Sequence, residues 1–526
     1  MVRIIKPTRV LFFAMPDTII GFNLAARLPN LGLVSIAGNV DPEECIVGVL
    51  DLVLCRQNVR RCVKKAIKTF RPDIIGLSCM IFQYKTAQNL ARWIKEKINA
   101  NIPIVFGGYY PTVCYDEFGP NHGAEDPPVA ENQCPWCDFI IRGEGEITFS
   151  EFIHTWRNHL PMKNVKSLSW RDENGVFHHN ERRPNVDLSK LNLPNRSVRL
   201  IQNGYHNIGK PGDVVETSRG CTNMCRFCSI ANMYGRSLRL YSLDRVMDDI
   251  RACKDRGVKS ILFIDDNITL KPERFERLCN MIIDESLDME FHVQASANGL
   301  LSRKTLIPKM GKAGFSIVFF GIENINPKNL KFFQKSIPLK RLKFLVRKLH
   351  KHGMLSFGGF ILGTPNDSLK NFEYNLKFAK QLNLDIPAWQ IITPFPKTKT
   401  RADLKQLGLI TNMYDYSKYD GIHANVKTKH LSAQKMDQEL IRLYTRYYTP
   451  KWFLKRLFQP RLWRLLPYTL HVARNNAHYV LPAWNKLWGS KINGRRSAKE
   501  QKTIENEVIN EFNKIRKKRD ELVKID

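Results

Sequence analysis

Three cysteines in one short loop constrain this chain more than any other feature of its sequence. They lie in segment 218–229 at the spacing C-x3-C-x2-C, as Cys221, Cys225 and Cys228. A closed zinc or iron–sulfur site takes four protein ligands, so this loop supplies one thiolate fewer. Three thiolates can hold three irons of a [4Fe–4S] cube and leave the fourth iron open to a small molecule. The alternatives are a zinc knuckle lacking one ligand, or three buried cysteines without a metal. The strand-like segment 214–217 that precedes the loop favours the iron–sulfur cluster.

Length and composition indicate a globular chain of several domains. The 526 residues are too many for one hydrophobic core and predict about two to four domains. No run of eighteen apolar residues occurs, so no transmembrane helix is expected. The basic and then apolar stretch 1–13 lacks a cleavage site and predicts a first strand, not a signal peptide. Twelve cysteines, three of them in a cluster loop, indicate a reducing compartment, the cytoplasm.

The charge of the chain is strongly positive, with 82 Lys and Arg against 50 Asp and Glu. Such an excess favours anionic partners. Part of it lies in the C-terminal region, where residues 440–499 hold 13 Lys and Arg, no acid and four of the nine tryptophans. Region 411–526 is helical in pattern. A helical cap on the preceding domain, attachment to the inner face of an anionic membrane, and nucleic-acid binding are the three interpretations, with nucleic acid the least favoured.

Two α/β domains are predicted from the alternation of strand and helix patterns. Residues 1–155 read as a doubly wound, Rossmann-like sheet, which holds ligands at the carboxyl ends of its strands. Residues 213–410 alternate again, as in a partial (β/α) TIM-type barrel, where polar groups at strand ends converge on the active face. Residues 156–212 form a connector with a polar hairpin at 170–177.

The cysteine loop resembles that of the radical S-adenosylmethionine (SAM) enzymes. The resemblance implies that the open iron chelates the amino and carboxylate groups of SAM. Reduction then cleaves SAM to a 5′-deoxyadenosyl radical, which requires an electron donor of the flavodoxin or ferredoxin type. The resemblance covers residues 9 to about 410.

Three motifs before the loop resemble the cobalamin-binding domain of one subclass of that family. Segment 29–37 resembles P-x-G-L-x-x-L-A, segment 107–112 resembles G-G-x-H-x-T with Tyr110 in place of histidine, and segment 142–146 matches R-G-E-G-E. No D-x-H-x-x-G loop is present, so no histidine for the lower face of cobalt can be named. The cobalamin contacts that the resemblance implies are Ser78, Gly107, Gly108, Tyr110, Gly143 and Glu144.

Motifs after the loop continue the resemblance. Segments 263–267, 321–324 and 358–365 are similar to the F-x-D-D-x-F, G-I-E-S and G-x-I-x-G-x-P strands of the subclass. Segment 393–398 is similar to its T-P-x-P-G-T turn, with Lys397 in place of glycine. A carboxylate such as Glu323 suits a ribose because its two oxygens can accept from two hydroxyls. The SAM contacts that the resemblance implies are Phe227, Asp266, Ser296, Glu323, Gly359 and Ile361.

A C-x-x-C pair lies in an acidic, proline-bearing stretch between residues 119 and 138. Cys134 and Cys137 could form a redox pair or half of a metal site, with His122 as a further ligand. Two ordinary thiols in a local loop are the favoured interpretation, because no second pair accompanies them.

Together these features predict a cobalamin-dependent radical SAM enzyme that methylates an unactivated carbon of an apolar or lipid-like small molecule. Non-methylating chemistry on the same scaffold, such as oxidative cyclisation or ring rearrangement, is the first alternative. A regulator that binds cobalamin and an iron–sulfur cluster without turnover is the second, and the open-iron cysteine set argues against it. The sequence identifies no catalytic side chain, substrate or oligomeric state.

Overall fold

The computed structural model describes residues 6–17, 26–119 and 132–449, together with Trp452 and Asn510. Three sheets are found among these residues: one of seven strands, one of eight strands and a short one of two strands. The first eight strands are β1 (Thr8–Ala14), β2 (Ala26–Arg27), β3 (Cys45–Asp51), β4 (Ile74–Ser78), β5 (Ile104–Gly107), β6 (Phe139–Ile141), β7 (Leu168–Arg171) and β8 (Phe177–His179).

All of these strands except β2 form the first sheet, in the order β3-β1-β4-β5-β6-β7-β8. The first five are parallel, and their order reverses between β1 and β4, which is the point where doubly wound sheets bind ligands. Strand β1 is buried on both faces, as parallel strands covered by helices are. The covering helices are α1 (Leu31–Gly38), α2 (Val59–Phe70), α3 (Tyr84–Lys97), α4 (Tyr109–Val113) and α5 (Gly145–Arg157).

The second half of the chain adds nine strands. Six of them are parallel and curl into a partial barrel in the order β17-β16-β15-β14-β13-β10. The nine strands are β9 (His206–Asn207), β10 (Lys210–Val215), β11 (Ser218–Arg219), β12 (Arg239–Leu240), β13 (Ser260–Phe263), β14 (Glu290–Ala295), β15 (Phe315–Glu323), β16 (Leu355–Leu362) and β17 (Ile386–Ile391).

Helices pack on the outer face of this barrel and bury its largest hydrophobic core. They are α7 (Leu243–Asp255), α8 (Pro272–Asp284), α9 (Ala297–Ser302), α10 (Leu306–Lys312), α11 (Pro327–Phe333), α12 (Leu339–Lys351), α13 (Leu369–Leu382), α14 (Lys399–Gln406) and α15 (Ala433–Tyr447). Helix α6 (Ile230–Tyr234) precedes them in the chain, has no buried residue and contacts α4 of the first domain. The predicted fold class, a Rossmann-like sheet followed by a partial TIM-type barrel, is confirmed.

The connector belongs to both of the larger sheets. Its hairpin, β7 and β8, extends the first sheet by two antiparallel strands. Its last strand, β9, pairs with β10 of the barrel on one side and with β2 on the other. Because β2 comes from the N-terminal half, the two halves are joined by backbone hydrogen bonds and not by a linker alone.

The prediction of a helical pattern directly after residue 410 is wrong for residues 411–432. That stretch holds one 3-10 turn, Tyr416–Lys418, and a bridge between Ile410 and Val426. Asparagine explains the difference, because the Asn425 side chain donates to the carbonyl oxygens of Lys418 and His423 and so competes with helical bonds. Helix α15 follows it, and the basic tail beyond residue 449 lies outside the described residues except for Trp452 and Asn510.

No helix among the described residues has both the length and the apolar composition needed to cross a bilayer.

Candidate functional site

The cysteine loop runs from β11 to α6, at the carboxyl end of the barrel. Asp265, fully buried at the end of β13, accepts hydrogen bonds from the Thr217 backbone nitrogen at 3.0 Å and from its hydroxyl at 2.7 Å. Asp265 also accepts from the Ser218 hydroxyl. The strand end therefore fixes the start of the loop, three residues before its first cysteine.

Cys221, Cys225 and Cys228 are half-buried, carry free thiols and line one cavity. Within the described residues, no three His, Cys, Asp or Glu side chains converge on the position of a single metal ion. Three thiolates are the set that can ligate three irons of a [4Fe–4S] cube and leave the fourth iron open. Burial raises the pKa of the Cys228 thiol to about 11, so iron must displace a proton to bind there.

Glu323 ends β15 and reaches the same cavity. Its φ of 60° lies in the left-handed region, and the pairing of β15 with β16 shifts register between Gly321 and Glu323. Such an irregularity re-aims a side chain at a strand end. The carboxylate is buried and forms an ion pair with Lys335, with 2.9 Å between Oε1 and Nζ.

Three more residues proposed from the sequence line this cavity, namely Phe227, Asp266 and Ser296. Asp266 accepts from the Gly220 backbone nitrogen at 3.0 Å, and burial raises its pKa to about 6. Ser296 caps α9 by accepting from the Gly299 nitrogen at 3.2 Å. The ring of Phe227 packs edge-on against Phe333, 5.3 Å between centroids.

Gly359 and Ile361 lie one layer beneath the cavity and do not line it. Gly359 pairs with Gly321 across β15 and β16, and a Cβ at Gly359 would lie 2.8 Å from Cζ of Phe319. The Phe319 ring, which lines the cavity, needs that space. The Ile361 carbonyl accepts from the side chain of Asn324 at 3.0 Å, so it holds the residue after Glu323.

A second cavity opens at the carboxyl ends of the first sheet, against the barrel domain. Ser78, Gly107, Gly108, Gly143 and Glu144 all line it, as the sequence proposed for cobalamin contacts. Gly108 has a φ of 97°, and a Cβ there would lie 2.9 Å from the Cys79 carbonyl oxygen. Gly143 has a φ of 78°, and a Cβ there would meet no atom within 4 Å, so this glycine faces open space. This glycine-lined cradle fits the close approach of a large flat cofactor or its tail.

Tyr110, the sixth residue proposed for cobalamin, does not line this cavity. It is fully buried, stacks on Tyr84 with 4.0 Å between ring centroids, and donates its hydroxyl to Glu117 at 2.8 Å. A stacked, hydrogen-bonded tyrosine fills the core where histidine is usual, so its role here is packing. No histidine is found among the described residues that line the cavity.

Cys134 and Cys137 are fully buried in the core of the first domain and carry free thiols. Burial raises the pKa of Cys134 to about 12. The guanidinium of Arg171 donates to the carbonyl oxygens of both residues, which fixes the loop by its backbone. His122 lies outside the described residues.

A buried network of charges links the cavity at the glycine cradle to the head of the cysteine loop. Arg219, at the head of the cysteine loop, forms ion pairs with Glu144, Glu146 and Glu216 at 2.6 to 2.8 Å. Arg239 adds a second cation on Glu144 at 2.8 Å. Burial raises the pKa of Glu146, but the adjacent Arg219 outweighs burial and holds that pKa below its usual value. The R-G-E-G-E loop of one domain is thus fixed directly to the cysteine loop of the other.

Sequence reasoning missed three of these functional neighbours. The only feature of the sequence that points to Arg219 is its position two residues before Cys221. Lys335 lies in a loop without a motif, and nothing in the sequence places it on Glu323. Lys397, noticed as a departure from glycine, has a φ of 58° and pairs with Asp116 of the first domain at 3.1 Å.

Comparison with known families agrees with this arrangement of two sites. The Radical SAM superfamily model matches residues 215–379, and the B12 binding domain model matches residues 18–153. A solved structure of the cobalamin-dependent S-adenosylmethionine radical enzyme OxsB, with aqua-cobalamin and S-adenosylmethionine bound, shares the fold. It has a TM-score of 0.65 and 16% identity, and the match covers 98% of this chain and 80% of that one.

Two curated proteins are similar along most of the chain. An uncharacterized methyltransferase from Pyrococcus horikoshii is 30% identical over 434 residues, which are 82% of this chain and 90% of that protein. The bacteriochlorophyllide d C-12(1)-methyltransferase of Chlorobaculum tepidum is 31% identical over 390 residues, 73% of this chain and 76% of that protein.

The fold and the paired cavities define an enzyme with two cofactor sites. The chain belongs to the cobalamin-dependent branch of the radical SAM superfamily, in which methyltransferases are found. Its cofactors are a [4Fe–4S] cluster, SAM and cobalamin.

Proposed function

We propose that this enzyme carries out a cobalamin-dependent transfer of a methyl group from SAM to an unactivated carbon of an apolar small molecule. One observation carries the proposal: the five-residue helix α6 contributes to both cavities. Its first three residues, Ile230, Ala231 and Asn232, line the cavity of the cysteines. Its last two, Met233 and Tyr234, line the cavity at the glycine cradle. A substrate held beside α6 is therefore within reach of both sites.

The roles of the protein's own side chains follow from their positions. When bound, the cluster and SAM supply a carbon-centred radical, and cobalamin carries the methyl group. Cys221, Cys225 and Cys228 hold the cluster, and Glu323 accepts hydrogen bonds from the ribose hydroxyls of SAM. Lys335 neutralises Glu323 in the absence of SAM, which lowers the cost of burying that carboxylate. Phe227, Ser296 and Asp266 shape the rest of the SAM cavity.

Two related proteins support methyl transfer over other outcomes of radical chemistry. The relatives from Pyrococcus horikoshii and Chlorobaculum tepidum described above are both methyltransferases by name. An sp³ carbon has no lone pair with which to attack a methyl donor, so a radical is needed before the new bond can form. The second named activity, on a bacteriochlorophyllide, also supports an apolar substrate for the present enzyme.

The test follows the methyl group of SAM. Protein loaded anaerobically with cluster and cobalamin is supplied with methyl-deuterated SAM, a reductant and an extract of apolar metabolites. We expect S-adenosylhomocysteine to form only when cobalamin is present, and deuterium to enter an apolar product. Formation of 5′-deoxyadenosine without S-adenosylhomocysteine, at full cobalamin occupancy, would instead identify cyclisation or rearrangement.

We also propose that the basic, tryptophan-bearing tail attaches the enzyme to an anionic membrane surface, where a lipid-like substrate is available. Its acid-free stretch 440–499 supports this, since each Lys or Arg near such a surface contributes about 1 kcal/mol at low salt. Sedimentation with anionic vesicles should exceed sedimentation with neutral vesicles, and high salt should reduce it. Equal partition to both kinds of vesicle would leave the tail as a helical cap.

A further inference from the structure

The cluster must receive one electron for each SAM that is cleaved, so the surface nearest the cysteine loop has to admit a donor. The loop is exposed at its tip, where Thr222 and Asn223 are exposed and Met224 keeps 49% of its surface in solvent. The base of the loop rests on α11, since the Arg226 backbone nitrogen donates to the Phe333 carbonyl oxygen at 3.1 Å. The surface that α11 carries therefore lies beside the cysteine loop.

This bordering surface is basic and has few acids to neutralise it. Residues 324–366 contain nine Lys and Arg and no Asp or Glu. Lys328, Lys331, Lys340 and Lys343 are exposed, and none pairs with a carboxylate within the described residues. Phe344, beside them on α12, keeps 55% of its surface in solvent. Phe344 supplies an aromatic side chain of the kind enriched at protein interfaces, and the lysines beside it supply charge that can steer an acidic partner.

Two hydrogen bonds place the start of α12 at the cavity end of the barrel. The loop from α11 to α12 includes Lys335, which lines the cavity of the cysteines. Ser336 in that loop accepts from the side chain of Asn298 on α9 at 3.2 Å, and Arg341 donates to the Leu301 carbonyl oxygen at 3.3 Å. Because α9 follows the carboxyl end of β14, the first turns of α12 lie at the same end as the cluster loop.

Other arginines on the barrel surface are paired with acids. On α7, Arg251 pairs with Asp248 and with Glu285. Arg303 pairs with Glu273 and Glu276 of α8. Lys328, Lys331, Lys340 and Lys343 differ from these arginines in having no carboxylate partner among the described residues. Charge of one sign next to a redox centre steers a partner of the opposite sign.

We propose that α11 and the first turns of α12 form the docking site of the electron donor, a small acidic one-electron carrier protein. The surface, named here the α11–α12 basic surface, consists of Lys328, Lys331, Lys340, Arg341, Lys343 and Phe344. In the transfer, one electron passes from the reduced carrier to the oxidised cluster, and no bond is made or broken. This inference deepens the proposed function by naming the kind of partner that supplies its electron.

The chain offers a matched control on its other domain. Residues 52–72 contain seven Lys and Arg and no acid, and Lys64 and Lys65 on α2 are exposed like Lys340 and Lys343. The charge-reversed pairs K340E/K343E and K64E/K65E change net charge equally. They differ only in which domain carries the change.

The experiment measures how fast a reduced flavodoxin bleaches the visible absorbance of the oxidised cluster in the full, cluster-loaded chain. At low ionic strength we expect K340E/K343E to slow this reduction at least tenfold and K64E/K65E to change it less than twofold. Reduction by dithionite should stay within twofold of wild type in both variants, which shows that the cluster is intact. The difference between the two variants should shrink at high salt.

Equal slowing in both variants would mean that net charge alone attracts the carrier, and an unchanged rate in K340E/K343E would place docking elsewhere. Either result overturns the inference. Because the readout is reduction of the cluster, it is independent of methyl transfer. An enzyme that fails the methyl-label test above can still pass this one, so the two failures are distinguishable.

Discussion

Cys225 is the middle ligand of the loop, and its removal should leave too few thiolates for a cube. We expect the Cys225→Ala variant, reconstituted anaerobically, to hold far less iron than a full [4Fe–4S] site, which has about four irons per chain. Cys62→Ala is the control, since Cys62 is also half-buried and free but lies on α2 of the other domain. Iron and sulfide analysis with visible absorbance measures both. Wild-type iron content in Cys225→Ala would remove the cluster from this loop.

His292 makes a prediction about acid stability. It is fully buried on β14, and its ring shares a hydrogen bond of 2.9 Å with the Asn207 side chain. Burial lowers its pKa to about 3. An unfolded histidine titrates at about 6.5, so below that pH the unfolded chain takes up a proton that the folded chain does not. Stability from this group is therefore lost as the pH falls below about 6.5.

The loss amounts to about 2 kcal/mol between pH 7 and pH 5. In His292→Leu the free energy of unfolding should fall by that much less over the same interval, while Asn207 keeps its bond to Ser260 at 3.1 Å. Urea unfolding at the two pH values measures the difference between variant and wild type. An identical pH dependence in both proteins would show that His292 takes up protons equally in the folded and unfolded states, against the prediction.

At the scale of single residues, the sequence allowed prediction of residues that belong to a local motif. It did not allow prediction of residues whose partners are distant along the chain. The three cysteines and Glu323 were predicted from runs of a few residues. Arg219 meets Glu144 across 75 positions of sequence, a pairing that only the packing of two domains creates. The prediction that Tyr110 contacts cobalamin was based on a motif position usually held by histidine. In the structure this tyrosine stacks on Tyr84.

Among the elements, the cysteine loop and the R-G-E-G-E loop act as one unit through Arg219. Arg219→Met would leave three buried carboxylates with one remaining guanidinium, and removing one partner from a buried ion network costs about 3–5 kcal/mol. Since Glu144 lines the glycine cradle, we expect cobalamin to bind at least tenfold more weakly in Arg219→Met. Arg219→Lys, which keeps the charge but not the forked geometry, should fall between wild type and Arg219→Met.

Equilibrium dialysis with hydroxocobalamin measures this order, and urea unfolding reports stability separately. Arg303→Met is the control, because Arg303 also pairs with two glutamates but lies on the barrel surface away from both cavities. Cobalamin affinity equal to wild type in a folded Arg219→Met protein would show that the network serves stability alone.

Helices of the two domains could be predicted from apolar residues at helical spacing, and their buried parallel strands from short continuous apolar runs. The hairpin at 170–177 was predicted too, but its pairing with β6 was not, since sheet edges are chosen by tertiary packing. The prediction of helix for residues 411–432 was wrong, because the side chain of Asn425 binds the backbone there. Such local competition is invisible to hydrophobic periodicity.

At the scale of the whole molecule, two domains enclose one working interface. Strand β2 of the first domain pairs with β9 beside the barrel, and Lys397 of the barrel reaches Asp116 of the first domain. Backbone pairing and ion pairs together hold the cavities in a fixed relation. The interface itself could not be derived from sequence, because each domain alone satisfies its own hydrophobic pattern.

Cobalt should have no protein nitrogen beneath it, because no histidine is found among the described residues lining the cradle. The electron paramagnetic resonance spectrum of the chain loaded with cob(II)inamide, which has no base of its own, should therefore lack nitrogen superhyperfine splitting. Free cob(II)alamin with its own base bound gives the reference pattern of triplets. Clear triplets from the loaded protein would mean that a nitrogen ligand reaches cobalt.

Reductive cleavage of SAM tests the central claim most directly, namely that the cysteine loop and Glu323 together form a radical-generating site. The measurement is 5′-deoxyadenosine formed anaerobically from SAM and dithionite by the cluster-loaded chain. Wild type should form it and Cys225→Ala should not. Glu323→Gln, which weakens charge-assisted bonds of about 1.5–3 kcal/mol, should need about ten to a hundred times more SAM. A wild-type protein with a full cluster and bound SAM that forms no 5′-deoxyadenosine would contradict the account.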